Sequence, residues 1–495
     1  MSFKNICLGT GTLLLIAMML TTSCRKEVIN TDPTAMLEFS IDTLRFDTVF
    51  SELGSDTRIL KAINPYNQPI RISHIRLENH GLSVFHLNID GLPGNEALDL
   101  EIAAHDSVYI FVEVTVNPDD PVSASPYIIT NEIVFETNGN TQKVILEAWG
   151  QNANYVPNRW SRGGFAYISC DLDQLTWDDP RPYVIYGILL IDSCTLNIPP
   201  GTKIYVHGGL AKLDEDIIYN DGIIFVLPNG KLNITGTLDN PVVIQGDRTE
   251  EDFENEPGQW GGIRFSEGSK NNKMEYTIIK NSLVGVRVDS AASLSMKHVQ
   301  VYNTSFDGII GVHSAITAEN CLVRNNGGNS VRLLYGGSYG FKYCTFANYG
   351  NDNASVHLSD ALCLDAPFCE NYYANPLYAT FENCIVFGSQ SDEISLFNRT
   401  GQSNYLNYTF DHCIVRVDEL TDADQYPDFF DHCISCINAS GSDLLFSDLN
   451  EDDYHLDSLS VAEQMAIPIN GITIDLEGNE RDPVMPDIGC YEYQY

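Results

Sequence analysis

The chain has 495 residues, more than one compact core usually holds, so two domains or one elongated repeat domain are expected. Its 28 Lys and Arg against 67 Asp and Glu give a net charge of −39. Such a surface repels nucleic acid and anionic lipid, which argues against both as partners, and it favours solubility in a crowded environment.

The first 23 residues have the order of an export signal. Lys4 gives a positive start, and the apolar run from Leu8 to Leu20 is too short to span a bilayer as a helix. Thr21-Thr22-Ser23-Cys24 follows. The stretch resembles a bacterial lipoprotein signal of the relaxed form found in Bacteroides-like bacteria. That resemblance implies that Cys24 is lipidated, that residues 24–36 form a tether, and that the protein is anchored in the outer membrane, facing the periplasm or the cell surface. A soluble secreted protein cleaved nearby is the alternative.

Residues 37–152 show short alternating apolar runs separated by turns. Val108–Val114, Ile133–Phe135 and Val144–Leu146 have the pattern of strands, and no segment has a sustained helical period. About seven strands in this length predict a two-sheet β-sandwich. The segment from Lys61 to Ile75 resembles bacterial immunoglobulin-like domains of the abnormal-spindle type, which implies a spacer or docking module.

Residues 155–450 contain a repeat. Its anchor segments are spaced by 22, 22, 23, 40, 29 and 20 residues, and fixed-period self-similarity of this length predicts a solenoid. The longer steps predict insertions near 349–380, 387–409 and 416–429. The chain lacks the leucine spacing of leucine-rich solenoids, and its succession of short strands and glycine turns resembles bacterial right-handed parallel β-helix proteins. We therefore expect an all-β chain, with a right-handed parallel β-helix behind an immunoglobulin-like sandwich. The anchor segments are Met274–Thr277, Met296–Val299, Ala318–Cys321, Phe341–Cys344, Phe381–Cys384, Phe410–Cys413 and Phe430–Cys433.

Two columns of equivalent residues should stack at about 4.8 Å in such a fold. We expect Asn281, Asn303, Asn325 and Asn348 to form a ladder whose amides bond to one another between coils. The second column, Thr277, Val299 and five cysteines, suits a soft apolar interior.

The 13 cysteines do not form an all-disulfide framework, because removal of Cys7 with the signal and lipidation of Cys24 leave an odd number. Cys363 and Cys369 lie in one insertion and can form a loop disulfide in an oxidising compartment. Cys433 and Cys436 have redox spacing, but on a strand we expect their side chains to point to opposite faces.

Residues 451–495 contain the segments Asp475–Asp482 and Asp487–Tyr493, which resemble the closing motif of bacterial surface β-helix proteins. The resemblance implies a cap over an open sheet end. Asp475, Glu477, Asp482 and Asp487 are expected to serve tight turns, with a Ca²⁺ site as the alternative. No metal or cofactor is otherwise expected.

Three groups of residues are candidates for function. Arg287, Asp289 and His313, with Arg332 nearby, lie about one coil apart and could act as a base and a charge clamp, or form a plain exposed polar ladder. Tyr372, Tyr373 and Tyr378 could stack on sugar rings or pack their insertion against the wall. Paired carboxylates of a hydrolase would have to come from insertion residues, namely Asp360, Asp365, Glu370, Asp392 and Glu393.

The leading hypothesis is a membrane-anchored, non-catalytic binding or structural protein whose ligand is a glycan or another envelope protein. The competing hypothesis is a polysaccharide-processing enzyme (a lyase, hydrolase or epimerase) that uses the Arg287/Asp289/His313 face.

Overall fold

The computed structural model describes residues 28–50, 57–78, 84–115, 127–151, 153–157, 164–170, 173–214, 217–250, 253–365, 368–422 and 424–494. The chain divides into two compact units, residues 1–151 and 152–495. The predicted signal and Cys24 lie outside the described residues. Within these ranges, helices of the length and apolar character needed to cross a bilayer do not occur.

The first unit contains two five-stranded sheets that share one core. The alternation of buried and exposed side chains along each strand explains why. In Ser107–Val114 every second side chain from Val108 onward is buried, so the strand has one apolar face. The sheet orders are β1-β3-β8-β5-β6 and β2-β10-β9-β4-β7, and apolar side chains from both form a single cluster. The immunoglobulin-like likeness stays a prediction. The strands are β1 (Glu38–Phe39), β2 (Thr43–Phe50), β3 (Arg58–Ile63), β4 (Ile70–Leu77), β5 (Phe85–Ile89), β6 (Leu92–Pro93), β7 (Glu96–Ile102), β8 (Ser107–Val114), β9 (Tyr127–Thr137) and β10 (Asn140–Gln151).

The second unit is a parallel β-helix, which confirms the predicted fold class. Its 26-stranded sheet pairs each strand with the equivalent strand of the next coil. The early coils run through β11 (Asn154–Val156), β12 (Phe165–Ile168), β13 (Gln174–Thr176), β14 (Tyr183–Tyr186), β15 (Ile188–Ile191), β16 (Thr195–Ile198), β17 (Lys203–His207), β18 (Gly209–Asp214), β19 (Ile217–Asp221), β20 (Ile223–Val226), β21 (Lys231–Thr235), β22 (Val242–Gly246) and β23 (Gly262–Phe265). The central coils run through β24 (Asn272–Lys280), β25 (Val286–Val288), β26 (Ser293–Thr304), β27 (Ile309–Glu319), β28 (Leu322–Asn326), β29 (Val331–Lys342) and β30 (Thr345–Asn348).

The remaining coils carry the insertions. They run through β31 (Val356–Ser359), β32 (Ala361–Cys363), β33 (Tyr372–Ala374), β34 (Leu377–Glu382), β35 (Ile385–Gly388), β36 (Ile394–Phe397), β37 (Leu406–Asp411), β38 (Ile414–Val415), β39 (Cys433–Ile434) and β40 (Ile437–Asn438). β41 (Phe446–Asp448) and β42 (Asp453–Leu456) follow, with 3-10 helices at Glu419–Thr421, Phe429–His432 and Leu449–Glu451. Of the strands just given, β18 with β19 and β32 with β33 are not coil strands but form antiparallel hairpins that leave the coils.

The strands of each coil lie on three walls. One wall contains β12, β15, β20, β23 and β25, then the starts of β27 and β29, then β31 and β36; we call it the open wall. A second wall contains β28, β30, β35, β38 and β40 in its last coils; we call it the covered wall. The third wall carries the anchor segments. Left-handed backbone marks the corners: His298, Asn320 and Tyr343 have φ near +50° where the third wall turns into the covered wall.

The register confirms six of the seven anchor segments. Met274 pairs with Met296, and the same alignment continues through Phe341 and Phe381 to Phe410. The prediction of the seventh anchor segment, Phe430–Cys433, was wrong. Phe410 pairs with Cys433, not with Phe430, because Phe429–His432 forms a 3-10 helix in the insertion before the last coil.

The positions of the asparagine column are in register, but the hydrogen bonds predicted between its amides were wrong. Asn281, Asn303 and Asn325 follow strand residues that are in register, and all three have φ between +52° and +63°. Asn281 Nδ2 donates to the Glu254 carbonyl, and Asn325 Nδ2 donates to Asp452 Oδ1. Asn348 does not share the left-handed conformation, and its Oδ1 accepts from the Asn326 backbone N–H. The column therefore supplies left-handed corner residues, because a short polar side chain tolerates that backbone.

The interior is filled by stacked side chains from successive coils. Phe341, Phe381 and Phe410 stack with ring centroids 4.9 and 4.7 Å apart. Beside them Cys344, Cys384 and Cys413 are fully buried free thiols. Burial raises the pKa of all three thiols, which keeps them protonated and inert.

The C-terminal segment covers a side of the β-helix, so the predicted end cap was wrong. Residues 445–494, the C-terminal strap, pack on outward apolar side chains of the covered wall. Asn320 Nδ2 donates to the Ile474 carbonyl, and Cys490 N donates to Thr345 Oγ1. The end of the core is closed instead by Leu420 and Phe429, which lie in the 3-10 helices of the last insertion. The buried outward side chains of the covered wall are Leu322, Ala347, Ile385, Phe387 and Ile414.

Candidate functional site

The open wall carries two arginines on adjacent coils. Ile263 and Phe265 point inward from β23, so Arg264 between them points outward. The same alternation in β25 turns Arg287 outward, and the register places Arg287 directly beside Arg264. Like charges at this spacing repel unless an anion lies between them.

Asp289 is that anion. Its Oδ2 accepts from Arg264 Nε at 2.5 Å, and its Oδ1 accepts from Arg287 Nε at 2.8 Å. The backbone N–H of Asp289 donates to the Phe265 carbonyl, which fixes the carboxylate between the two coils. Asp289 is only 8 % exposed, whereas the two arginine side chains are about two-fifths exposed. Both carboxylate oxygens are therefore occupied, while each guanidinium keeps nitrogens that face solvent.

A groove of about 640 Å³ runs along the wall at this cluster. Its apolar part comes from outward residues of the earlier coils, among which the Phe165 ring is 54 % exposed. The Arg264 guanidinium lies 5.6 Å from the Phe225 ring centroid, so the charged and apolar parts are continuous. We call this the arginine groove. It is lined by Phe165, Ile188, Leu190, Phe225, Leu227, Arg264, Ser266, Glu267, Arg287, Asp289, Ser290 and Val312.

His313 does not line the arginine groove. Gly311 pairs with Val288, and Val312 is the residue that enters the groove beside Asp289. His313 has φ +48° at the corner between the open and third walls, where its ring lies 5.2 Å from that of Tyr335. The expected outward pairing of Asp289 with His313 was wrong, because the chain turns the corner at His313.

Residues 170–301 match a family model described as a pectate-lyase-like β-helix domain. The matched range contains Arg264, Arg287 and Asp289 but ends before the insertions of the later coils. No curated protein matches the chain.

Solved structures similar to the chain have low identity. The catalytic unit of a thermostable GH87 α-1,3-glucanase from Streptomyces thermodiastaticus strain HF3-3 is 9 % identical, with 72 % of this chain and 79 % of that chain covered at a TM-score of 0.23. A protein of unknown function from Porphyromonas gingivalis W83 is 14 % identical, with 25 % and 50 % covered at 0.19. A family 123 glycoside hydrolase from Clostridium perfringens is 6 % identical, with 46 % and 62 % covered at 0.17. The chain spans less than two thirds of the last two proteins, and similarities this low carry no functional argument.

The three candidate tyrosines lie in two places. Tyr372 and Tyr373 belong to the hairpin of β32 and β33, and the disulfide Cys363–Cys369 joins the end of β32 to the connecting loop. The Arg399 guanidinium lies 4.7 Å from the Tyr372 ring centroid. The exposed Tyr373 ring is 6.2 Å from that of Tyr335. Tyr378 is exposed on β34 of the third wall, so the tyrosines do not form one flat surface with the arginine groove.

Insertion carboxylates hold backbone N–H groups of their own or a neighbouring insertion. Asp360 accepts from the Arg399 and Thr400 backbone N–H groups, and Glu393 accepts from the Ser355 N–H and hydroxyl. Asp365 and Asp392 bind backbone N–H groups in the same way, and Glu370 is exposed. Burial raises the pKa of Glu393, although the Ser355 bonds oppose this shift.

The acidic residues of the C-terminal strap also serve turns. Asp475 Oδ1 accepts from the Glu477 and Asn479 backbone N–H groups, and Asp482 Oδ1 accepts from those of Val484 and Met485. Asp487 is buried and accepts from two backbone N–H groups. Among the described residues no group of three or more His, Cys, Asp or Glu side chains has the arrangement of a metal site.

Sequence reasoning missed Arg264, the second arginine of the clamp. The signal was present, because Arg264 precedes Arg287 by 23 residues, which is one coil of the measured repeat. It also missed the disulfide Cys170–Cys194, which joins neighbouring early coils where no anchor segment marks the period.

Proposed function

We propose that this protein is a lipid-anchored envelope protein that binds a glycan chain in the arginine groove without cleaving it. The observation that carries the proposal is the clamp of Asp289 by Arg264 and Arg287 within a groove that is apolar on one side. The parallel β-helix supplies the rigid wall on which these side chains are held.

The lining of the groove matches the two surfaces of a sugar ring. Exposed aromatic rings such as Phe165 can pack against the C–H face of a pyranose, and the solvent-facing N–H groups of the arginines can donate to its hydroxyls. The clamp fixes the guanidinium planes before a ligand arrives, which lowers the entropic cost of binding.

In the part of the chain that the structure describes, no paired acid and base line the arginine groove, which supports binding over catalysis. Glycoside hydrolysis needs two carboxylates with separate roles. Of the two carboxylates that line the groove, Asp289 is already bonded to two guanidinium groups, which leaves Glu267 alone. His313, the base of the competing enzyme hypothesis, lies at its corner and is not among the residues that line the groove.

Binding can be tested with the purified full-length chain in detergent on an array of neutral and acidic glycans. We expect saturable binding without product, and a loss of at least about tenfold in affinity for Arg287→Gln, equivalent to about 1.4 kcal/mol. Lys342→Gln is the matched control, because Lys342 forms an exposed ion pair with Glu382 on the third wall. Depolymerised product would favour the enzyme, and binding only to other envelope proteins would favour a docking module.

The lipid anchor is part of the proposal and rests on the order of residues 1–24. Growth with a labelled fatty acid should label the wild-type protein, and Cys24→Ala should abolish both the label and partition into the detergent phase. An unlabelled wild-type protein found in the medium would instead support cleavage to a soluble secreted form.

A further inference from the structure

The last coil of the β-helix places three cysteines together. Ile414 pairs with Ile437 and the Ile437 N–H donates to the Cys413 carbonyl, so Cys436 is the next member of the interior thiol column. Cys436 Sγ donates to the Phe410 carbonyl at 3.3 Å, as Cys413 Sγ does to the Phe381 carbonyl one coil earlier.

Cys433 reaches the same place by a turn. Ser435 has φ +51°, the left-handed corner conformation, and Cys433, which pairs in register with the interior residue Phe410, packs against the same core as Cys436. The expectation that the two side chains point to opposite faces was wrong, since it assumed an uninterrupted strand. Both cysteines pack against the edge of the core.

Exposure separates this pair from the rest of the column. Cys384 and Cys413 are fully buried, whereas Cys433 and Cys436 are partly exposed free thiols in the last coil. Hydrogen bonds from the thiols of Cys413 and Cys433 lower the pKa of Cys436, and the same contact raises the pKa of Cys433. Thiolate character together with access is what makes a cysteine reactive.

We propose that Cys433 and Cys436 are a redox-active dithiol, which a small external disulfide oxidises to an intrachain disulfide. In the first step the Cys436 thiolate attacks one sulfur of the external disulfide, forms a mixed disulfide and expels one thiolate. In the second step Cys433 loses its proton to the expelled thiolate, attacks Cys436 Sγ and expels the second thiolate. The proton that Cys436 released to water on ionisation protonates the second thiolate, so two protein thiols and one disulfide become one protein disulfide and two small thiols.

The test uses the full-length chain under native conditions with oxidised glutathione, followed by alkylation and peptide mapping by mass spectrometry. We expect one new bridge, between Cys433 and Cys436, with Cys344 and Cys384 still alkylated only after unfolding. Cys433→Ser should stop at a stable mixed disulfide on Cys436, and Cys436→Ser should remain unmodified. Cys384→Ser is the matched control and should form the bridge as the wild type does.

A bridge between Cys413 and Cys436, or no reaction before unfolding, would overturn the proposal. Because either serine variant could destabilise the last coil, brief alkylation of the native wild-type protein gives an independent reading. Cys436 should be modified first and more than tenfold faster than Cys384, and equal rates for the two would contradict the assignment.

Discussion

The covered wall and the open wall belong to the same β-helix but differ in what their outward side chains do. On the covered wall these side chains include a buried apolar set, such as Leu322 and Ile385, on which the C-terminal strap packs. On the open wall Arg264, Arg287 and Arg332 point outward and keep about two-fifths of their side-chain surface. One fold thus supplies a wall for packing and a wall for solvent or ligand.

The difference shows where function is encoded in a β-helix. Inward residues follow from the repeat, since every coil must fill the same core. Outward residues do not have to fill the core, so their chemistry depends on whether solvent, a ligand or another segment contacts them. Apolar outward residues predict a covering segment of the chain, and a charged cluster beside exposed rings predicts a ligand.

The largest expected effect comes from removing the buried ion pair that holds the strap. Arg481 Nη1 lies 3.2 Å from Glu492 Oε2, and Arg481 Nη2 donates to Asn320 Oδ1 on the β-helix. Arg481→Met leaves a buried carboxylate without its partner, which should lower the free energy of unfolding by about 3–5 kcal/mol. Chemical denaturation measures the loss, and limited proteolysis should cut the strap first.

An exposed ion pair provides the control for this variant. Lys297 Nζ lies 3.1 Å from Glu319 Oε2, with the lysine side chain about half exposed. Lys297→Met should cost less than about 1 kcal/mol. Equal losses for the two variants would mean that the strap is not held by its buried charge.

The inside of the β-helix could be predicted from sequence because the core repeats. Phe341, Phe381 and Phe410 were placed correctly despite insertions between them, since insertions leave the wall before the next anchor segment. The exception, Phe430, lies in a 3-10 helix whose sequence is similar to that of an anchor segment. A motif of four residues cannot report the hydrogen bonding that distinguishes the two.

The outer surface could be predicted only in part. Arg287 and Asp289 were singled out, but His313 was assigned to the same face because a coil was treated as a straight strand. The side coverage by the strap was missed, although consecutive apolar residues such as Ile385, Val386 and Phe387 make both faces of a strand apolar. Which segment covers such a face does not follow from the local pattern, because the two segments are distant in sequence.

The next effect concerns pH and the open wall. His357 stands next to Arg332 in register, and its Nδ1 lies 3.0 Å from Ser395 Oγ. Burial, with a smaller effect from Arg332, lowers the pKa of His357 from 6.5 to about 4. The unfolded chain binds this proton more tightly, so stability is lost as pH falls from 6.5 through 4, by up to about 3 kcal/mol. His357→Gln should reduce that loss in denaturation measured at several pH values.

The carboxylates titrate alike in the wild type and in His357→Gln, so the difference between their pH profiles isolates the histidine. His86→Gln, an exposed position in the sandwich, is the control and should leave the profile unchanged. Parallel profiles for wild type and His357→Gln would show that this position on the open wall does not bury a neutral histidine.

A smaller effect is expected at the clamp itself. Asp289→Ala removes the acceptor between Arg264 and Arg287 and leaves two like charges side by side. Because both guanidinium groups are partly hydrated, we expect a loss of only about 1–2 kcal/mol in unfolding free energy. Glycan binding should fall more than stability does, since the arginine planes lose their orientation. Unchanged binding at reduced stability would contradict a preorganised groove.

The smallest effect separates two explanations of the asparagine column. It is measured at Asn303, at the corner between the covered wall and the open wall. Asn303 has φ +53°, which an alanine adopts at a cost of about 1 kcal/mol and a glycine adopts freely. If the column exists for backbone conformation, Asn303→Gly should stay within about 0.5 kcal/mol of the wild type, while Asn303→Ala should lose about 1 kcal/mol. If the amide itself holds neighbouring coils together, glycine and alanine should cost the same, because both remove it. Denaturation of the two variants in parallel decides between a corner residue and a ladder.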